Sequence, residues 1–330
     1  MIKHSFIIPV KKINDYIREA IPQILKISRD DFEIIIYPDQ STKEEWQKTR
    51  QIATGKAGPA MKRNLAIRDA QGEILIFLDD DAYPFSKDDD HNFLDILDQD
   101  FQDRDILAVG GPAITPAQDS FWQKVSGAVF LSRFAGGCVE RYAPVGAKKL
   151  VDDWPSVNFA VRKNIFHKIK GFDEKYWPGE DTKFCLDLFK KTGKKILYDP
   201  ELIVCHHRRE NLIGHLKQVG SYGLHRGFFA KKFPENSCKL KYFMPSLFFL
   251  FVIFGFCLSF FSVLMLKLYL FGWLIYILAL IKVFFDIRKY EKNTLVVLNA
   301  LWYTFLTHLV YGMKFLWGLV AVKQLKSKLR

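Results

Sequence analysis

The stretch from Phe243 to Leu266 restricts this chain most, because it runs through phenylalanine, leucine and valine without one charged residue. It exceeds the roughly 20 apolar residues that a membrane-spanning helix needs. Leu268 to Ile281 continues the apolar character, and Val283-Phe284-Phe285 extends it past Lys282. The pattern predicts a helical hairpin turning near Lys267, with spans at about 243–266 and 268–285. A third apolar run, Leu295 to Val322, is interrupted by Asn299, His308 and Lys314, so it spans, re-enters or lies in the membrane interface. Basic residues stand before the first run (Lys231, Lys232, Lys239, Lys241), after the second (Arg288, Lys289, Lys292) and at the end (Lys323, Lys326, Lys328, Arg330). The positive-inside rule assigns all three groups to the cytoplasm, which requires an even number of crossings. Two spans with a re-entrant or interfacial third segment is the expected arrangement, and three spans the alternative. The formal net charge of +12 is then explained by attraction to anionic headgroups, with no need for a nucleic-acid partner.

Residues 1–235 mix charged and apolar residues as a soluble α/β domain does, and residues 236–330 form the membrane tail. Met1-Ile2-Lys3-His4 runs straight into a strand pattern without the long apolar core of a signal peptide. The five cysteines form no C-x-x-C pair and are odd in number, which fits a reducing compartment. The expectation is a multi-pass protein of the inner (cytoplasmic) membrane with its first domain in the cytoplasm. Ser5 to Val10 reads as a buried strand, and Ile13 to Leu25 as a helix that Pro22 should kink or divide. Phe32 to Tyr37 is a second strand, Pro59 to Ala70 a helix with proline in its first turn, and Ile74 to Leu78 a third strand. Strand, helix, strand, helix, strand is the grammar of a parallel sheet covered on both faces, and such sheets bind ligands beyond the carboxyl ends of their strands.

The third strand ends in Asp79-Asp80-Asp81. Three anions at the end of a buried strand lose hydration and need a partner. Hard oxygen ligands suit Mg²⁺ or Mn²⁺, with a capped, solvated turn before Pro84 as the structural alternative. Asp39 stands at another strand end and so faces the same crevice. Farther on, Glu180-Asp181 opens a helix behind Trp177-Pro178, where the helix dipole favours negative charge.

Five pieces in order carry a resemblance: Phe6-Ile7-Ile8-Pro9; the strand ending at Asp39-Gln40-Ser41-Thr42; Ala60 to Asn64; Phe77-Leu78-Asp79-Asp80-Asp81; and Gly171-Phe172-Asp173-Glu174 leading to Gly179-Glu180-Asp181-Thr182. Over about residues 4–230 the chain resembles family 2 glycosyltransferases of the GT-A fold. The resemblance implies a mixed, mainly parallel α/β sheet, and transfer of a sugar from a nucleotide donor to an acceptor hydroxyl with inversion. It implies that Asp39 accepts from the base N–H, beside the first-strand end at Pro9, and that Arg63 and Asn64 lie near base or diphosphate. Asp79 and Asp81 match the D-x-D motif that holds a divalent cation on the donor diphosphate. Asp181 matches the base that takes the acceptor's proton, with Glu180 supporting it. His206 matches a histidine that completes the metal shell in some members, His207 being the competing choice. Trp154, Asn158 and Trp177 are candidates for sugar or acceptor contacts, core packing being the alternative, favoured for Trp154.

There are departures from the family pattern. Pro38-Asp39-Gln40 replaces the usual Asp-Asp-Gly, which leaves uridine and thymidine donors both open, and Ala66 stands where many members have glycine. The Gln-x-x-Arg-Trp motif of processive synthases is absent. In its place Gln218, Tyr222-Gly223 and Arg226 follow a pattern of bacterial exopolysaccharide glycosyltransferases with a short membrane tail, making Gln218 and Arg226 acceptor candidates. The expected activity is metal-dependent, inverting transfer to a lipid-linked or cell-surface glycan. The rivals are a polyprenyl-phosphate glycosyl synthase and an inactive membrane scaffold of the same fold.

Overall fold

A computed structural model of the chain describes residues 1–85 and 92–325. In chain order the elements are β1 His4–Pro9, α1 Asp15–Leu25, β2 Phe32–Tyr37, β3 Thr49–Gln51, α2 Pro59–Asn64, α3 Ala66–Asp69, β4 Ile74–Leu78 and β5 Ala82–Pro84. There follow α4 Phe93–Asp100, β6 Ala108–Gly110, β7 Ala113–Ile114, α5 Phe121–Ala128, β8 Lys149–Val151, β9 Asn158–Arg162, α6 Lys163–Ile169 and α7 Glu180–Thr192. Last come β10 Ile196–Tyr198, β11 Val204–His206, α8 Leu212–Lys232, α9 Pro234–Ser237, α10 Leu240–Leu250, α11 Phe256–Ser259, α12 Val263–Arg288 and α13 Thr294–Val320. They fold into two compact units: residues 1–116 with 143–207, and residues 117–142 with 208–325.

The first unit is built on an eight-stranded sheet in the order β3-β2-β1-β4-β9-β6-β10-β8. β3, β2, β1 and β4 are mutually parallel, with His4 opposite both Phe32 and Ile74. β9 runs antiparallel between β4 and β6, so the sheet is mixed. Successive side chains of a strand point to opposite faces. Accordingly Phe6 and Ile8 of β1 pack with Ile17, Ile21 and Leu94, while Ile7 packs on the other face with Phe77, Phe166 and Phe184. Both faces are apolar, which is why these strands read as unbroken apolar runs. Gly72 turns the chain into β4 so close to β1 that an added Cβ would lie 2.7 Å from the His4 carbonyl carbon. Pro22 does not divide α1: it lies exposed within one continuous helix, whose buried stripe of Ile17, Ala20, Ile21 and Ile24 runs past it.

A second, three-stranded sheet, β5-β11-β7, completes this unit. β11 pairs antiparallel with β5, setting His206 opposite Ala82. Because Ala82 follows the three aspartates directly, the pairing draws His206 to the end of β4.

The second unit is helical. Three of its helical stretches, Leu240–Ser259, Val263–Arg288 and Thr294–Val320, are long and apolar enough to cross a membrane. The break between the first two falls at Phe260–Ser262, ahead of the expected turn at Lys267, because the Ser262 hydroxyl caps α12 by accepting from the Met265 N–H (3.2 Å). Residues 117–142 belong here because α5 and the turn after it supply Val125, Ala128, Val129 and Ala135 to a core with Val283, Ile287, Val296 and Tyr303.

Candidate active site

The carboxyl ends of β2, β1 and β4 lie side by side, since the three strands are neighbours and parallel. Asp39, Pro9 and Asp79 follow from that order alone. Asp39 is held by Lys62, which donates to its Oδ1 and to the Val10 carbonyl oxygen (2.6 Å). Lys62 is almost fully buried, on the face of α2 that packs on β1. Nothing in the motif pattern had singled it out; the only signal was a lysine in the first turns of a helix whose neighbours Ala60 and Arg63 are also buried.

Arg63, one residue on, joins two more acids. Its Nη2 donates to Asp79 Oδ1 (2.5 Å) and its Nη1 to Glu180 Oε1 (2.9 Å). Arg63 and Glu180 are both buried, while Asp79 is partly open. A buried cation needs such partners, because desolvation is otherwise uncompensated. Burial pushes the Glu180 carboxyl up to about 7 against the pull of Arg63, and the neighbouring Asp181 charge adds to the rise. Glu180 Oε2 also accepts from the Gly179 N–H (2.9 Å), and Asp181 Oδ1 accepts from the Thr182 N–H (2.7 Å). The first turn of α7 is thus fixed at both of its acids, with Asp181 the more exposed.

Asn64 has a structural task. It donates to the Phe172 carbonyl oxygen (2.9 Å) and accepts from the Phe172 N–H (2.7 Å). This clamps the turn at Gly171, whose φ of +70° suits glycine and whose added Cβ would meet Asn64 Oδ1 at 2.3 Å. The Gly171-Phe172-Asp173-Glu174 motif therefore positions α7 from α2.

Among the described residues, ligand atoms of Asp79, Asp81 and His206 all lie within 4.8 Å of one another. His206 Nε2 stands 3.1 Å from Asp81 Oδ1. Two carboxylates and an imidazole fit a hard divalent cation, and the nitrogen donor suits Mn²⁺ better than Mg²⁺, which prefers oxygen alone. Asp80 turns away: it accepts from the Asn14 amide (2.7 Å), and burial pushes its carboxyl up to about 6, with the Asp81 charge next in weight. His207 is likewise directed elsewhere, with its Nε2 3.2 Å from Glu19 Oε2 and its ring against Tyr16.

The remaining candidates separate. Trp154 is 2% exposed and donates its indole N–H to the Gly111 carbonyl oxygen (3.1 Å), so its ring belongs to the core. Asn158 is fully buried and ties the Pro112 and Leu202 carbonyls (3.2 and 2.7 Å). Burial leaves neither free for a sugar. Trp177 is half-buried in the segment leading to Glu180. Gln218 and Arg226 belong to the second unit. There the Gln218 side-chain amide lies 3.1 Å from the Tyr222 hydroxyl and from Arg209 Nη2, and Arg226 stacks on Tyr242 and donates to Ser237.

The family model described as Glycosyl transferase family 2 matches residues 5–169. The O-antigen biosynthesis protein RfbC of Myxococcus xanthus is 26% identical over 255 residues, 70% of this chain and 20% of that protein. The chain therefore matches about a fifth of that relative's length. A dolichyl N-acetyl-alpha-D-glucosaminyl phosphate 3-beta-D-2,3-diacetamido-2,3-dideoxy-beta-D-glucuronosyltransferase of Methanococcus voltae is 25% identical over 244 residues, 69% of this chain and 74% of that protein. Among solved structures, the mannosyltransferase PcManGT of Pyrobaculum calidifontis, in complex with GDP-Man and Mn²⁺, aligns with a TM-score of 0.53 at 17% identity, covering 96% of this chain and 87% of that one. At that identity the likeness speaks to the GT-A fold.

Proposed function

The chain belongs to glycosyl transferase family 2, and from that premise we propose that it is a membrane-anchored, metal-dependent, inverting glycosyltransferase acting on a lipid-linked or cell-surface glycan. The observation that carries the reading is the chain of contacts from Asp79 through Arg63 to Glu180, with Asp81 and His206 on one side and Asp181 on the other. A donor-side anion site and an acid at a helix start are thereby joined by one buried guanidinium.

In this reading Asp39, braced by Lys62, accepts the N–H of a uracil or thymine base. Arg63 orients Asp79 toward the diphosphate. A bound Mn²⁺ or Mg²⁺, held by Asp79, Asp81 and His206, would supply Lewis-acid neutralisation of the leaving nucleoside diphosphate. Asp181 takes the proton from the acceptor hydroxyl. The freed oxygen forms the new bond to the anomeric carbon, and the old bond's electron pair leaves with the diphosphate. Glu180 holds Arg63 and the helix start in place and does not meet the acceptor. The three apolar helices support attachment to the inner membrane, and the basic groups flanking them support a cytoplasmic site. Attachment would raise the effective concentration of a lipid-carried acceptor.

The test is a panel of nucleotide-sugars offered to the purified full chain with Mn²⁺ or Mg²⁺. Slow, metal-dependent hydrolysis of one donor is expected. Neither cleavage nor binding of any donor would overturn the reading.

A further inference from the structure

The three apolar helices are not alike. The outward faces of α10 and α12 are bare, with Leu247, Leu270 and Leu274 among their exposed side chains. α13 instead has one bare face and one covered face. The bare face carries Leu298 and Trp302 toward its start and Met313, Trp317 and Val320 toward its end, with Phe305 between them packed on Phe248 and Trp273 of the hairpin. The covered side is packed by α5, through Val125 and Ala128, by α8, and by α10, whose Pro245 carbonyl oxygen would lie 2.2 Å from a Cβ added at Gly312.

The α8 cover is continuous. His215 meets Thr307 at 2.8 Å, Gly220 faces Val310, Gly223 faces Tyr311, and Lys231 donates to the Val322 carbonyl oxygen (2.9 Å). Gly227 lies so near α13 that an added Cβ would be 2.0 Å from the Phe315 carbonyl oxygen. The two helices therefore lie backbone to backbone and must share one depth in any membrane. Yet α8 carries Lys217, Arg226, Lys231 and Lys232, spread along the same length. Charged side chains at the bilayer centre are rare and expensive.

A second observation is independent of α8. The turn after α5 reaches His308, at the middle of α13, where the Ala135 carbonyl oxygen stands 3.2 Å from Nε2. The same turn exposes Arg133 and Phe134. Irregular backbone with an exposed arginine does not occur at the lipid-facing centre of a bilayer.

We infer that α13 does not cross the membrane: it lies in the plane of the interface, with its Leu298-to-Val320 face on the lipid and α8 and α5 on its water side. The partner of that face is the bilayer surface. It is continuous with the hairpin, since Ser246, in the second half of α10, donates to the Gly312 carbonyl oxygen (3.1 Å) and Tyr276 of α12 meets His308 (3.1 Å). The two tryptophans suit the headgroup boundary. An in-plane α13 also leaves an even number of crossings. The inference rests on membrane attachment, not on the sugar chemistry.

The test uses the full chain in liposomes, with Cys138, Cys238 and Cys257 replaced by serine. Single cysteines at exposed positions, Leu298→Cys, Met313→Cys and Trp317→Cys, receive an environment-sensitive fluorophore. Leu270→Cys in α12, about 9 Å farther along the helix than the Tyr276 contact with His308, is the deep reference. Quenching by lipids spin-labelled at the headgroup or at the acyl-chain end then reads depth. The expected result is one shallow depth for all three α13 positions and a deep position for Leu270. Residues 298 and 317 would differ by roughly 28 Å along a spanning helix, so a depth gradient along α13 overturns the inference. So does a Leu270 label that is quenched while none of the α13 labels is. If the Leu270 label also escapes quenching, membrane attachment itself fails.

Discussion

Arg63 is the residue on which the site turns. It is buried between two acids, and its removal would strand Glu180 without a counter-charge. Arg63→Ala is expected to destabilise the first unit by about 3–5 kcal/mol. The Arg63→Ala/Glu180→Ala pair should lose less than the sum of the two single changes, as measured by denaturant unfolding in a double-mutant cycle. Asp181→Asn should cost about 10²–10⁴-fold in turnover on a hydroxyl acceptor with little change in stability; near-normal turnover would instead point to an acceptor that is already anionic. Glu180 gives a pH signature. Its folded value, about 7, lies above the ordinary 4.5, so its contribution to stability is whole below about 4.5 and is lost as pH rises to about 7. Glu180→Gln should flatten the fall of Tm across that window, and an unchanged slope would refute the assignment. Asp79, Asp81 and Asp181 were legible in the sequence because carboxylates at a strand end and a helix start have few bland explanations. Lys62 was not, because a lysine becomes informative only when the fold shows that it is buried against Asp39.

Elements differ in how far they could be read. β1, β2 and β4 announced themselves as apolar runs because both faces of the sheet are covered. β9 is also a buried strand, and only its pairing with β4 and β6 reveals that it runs the other way. The stretch 113–153 has no clear periodicity in the sequence, and over its α5 part the reason is physical: the apolar side of α5 is complementary to α12 and α13, far away in the chain. The Gly171 turn carries a prediction at this scale. Alanine there would be forced into a left-handed φ and into Asn64, at a cost of about 1–3 kcal/mol. Because the same turn hands on to α7, Gly171→Ala should weaken turnover as well as lower Tm. A loss of neither would show that Asn64 does not position the helix.

At the scale of the molecule, a metal bound by residues of both sheets should stabilise the folded chain by mass action, about 2.7 kcal/mol at a hundredfold excess over Kd. Mn²⁺ is expected to raise the Tm of the full chain, and Asp81→Asn or His206→Ala to abolish the rise. An equal rise in those variants would remove the three residues as ligands. The division into units has a practical consequence. Residues 117–142 leave the first unit and return to it at Ala143, carrying Val125, Val129 and Ala135 into the helical core. Cutting the chain after residue 207 would therefore yield not a soluble enzyme fragment but one bearing an orphaned greasy flap, prone to aggregate during expression. A crystallisable form needs two excisions: the helices after 207, and the 117–142 segment replaced by a short polar bridge.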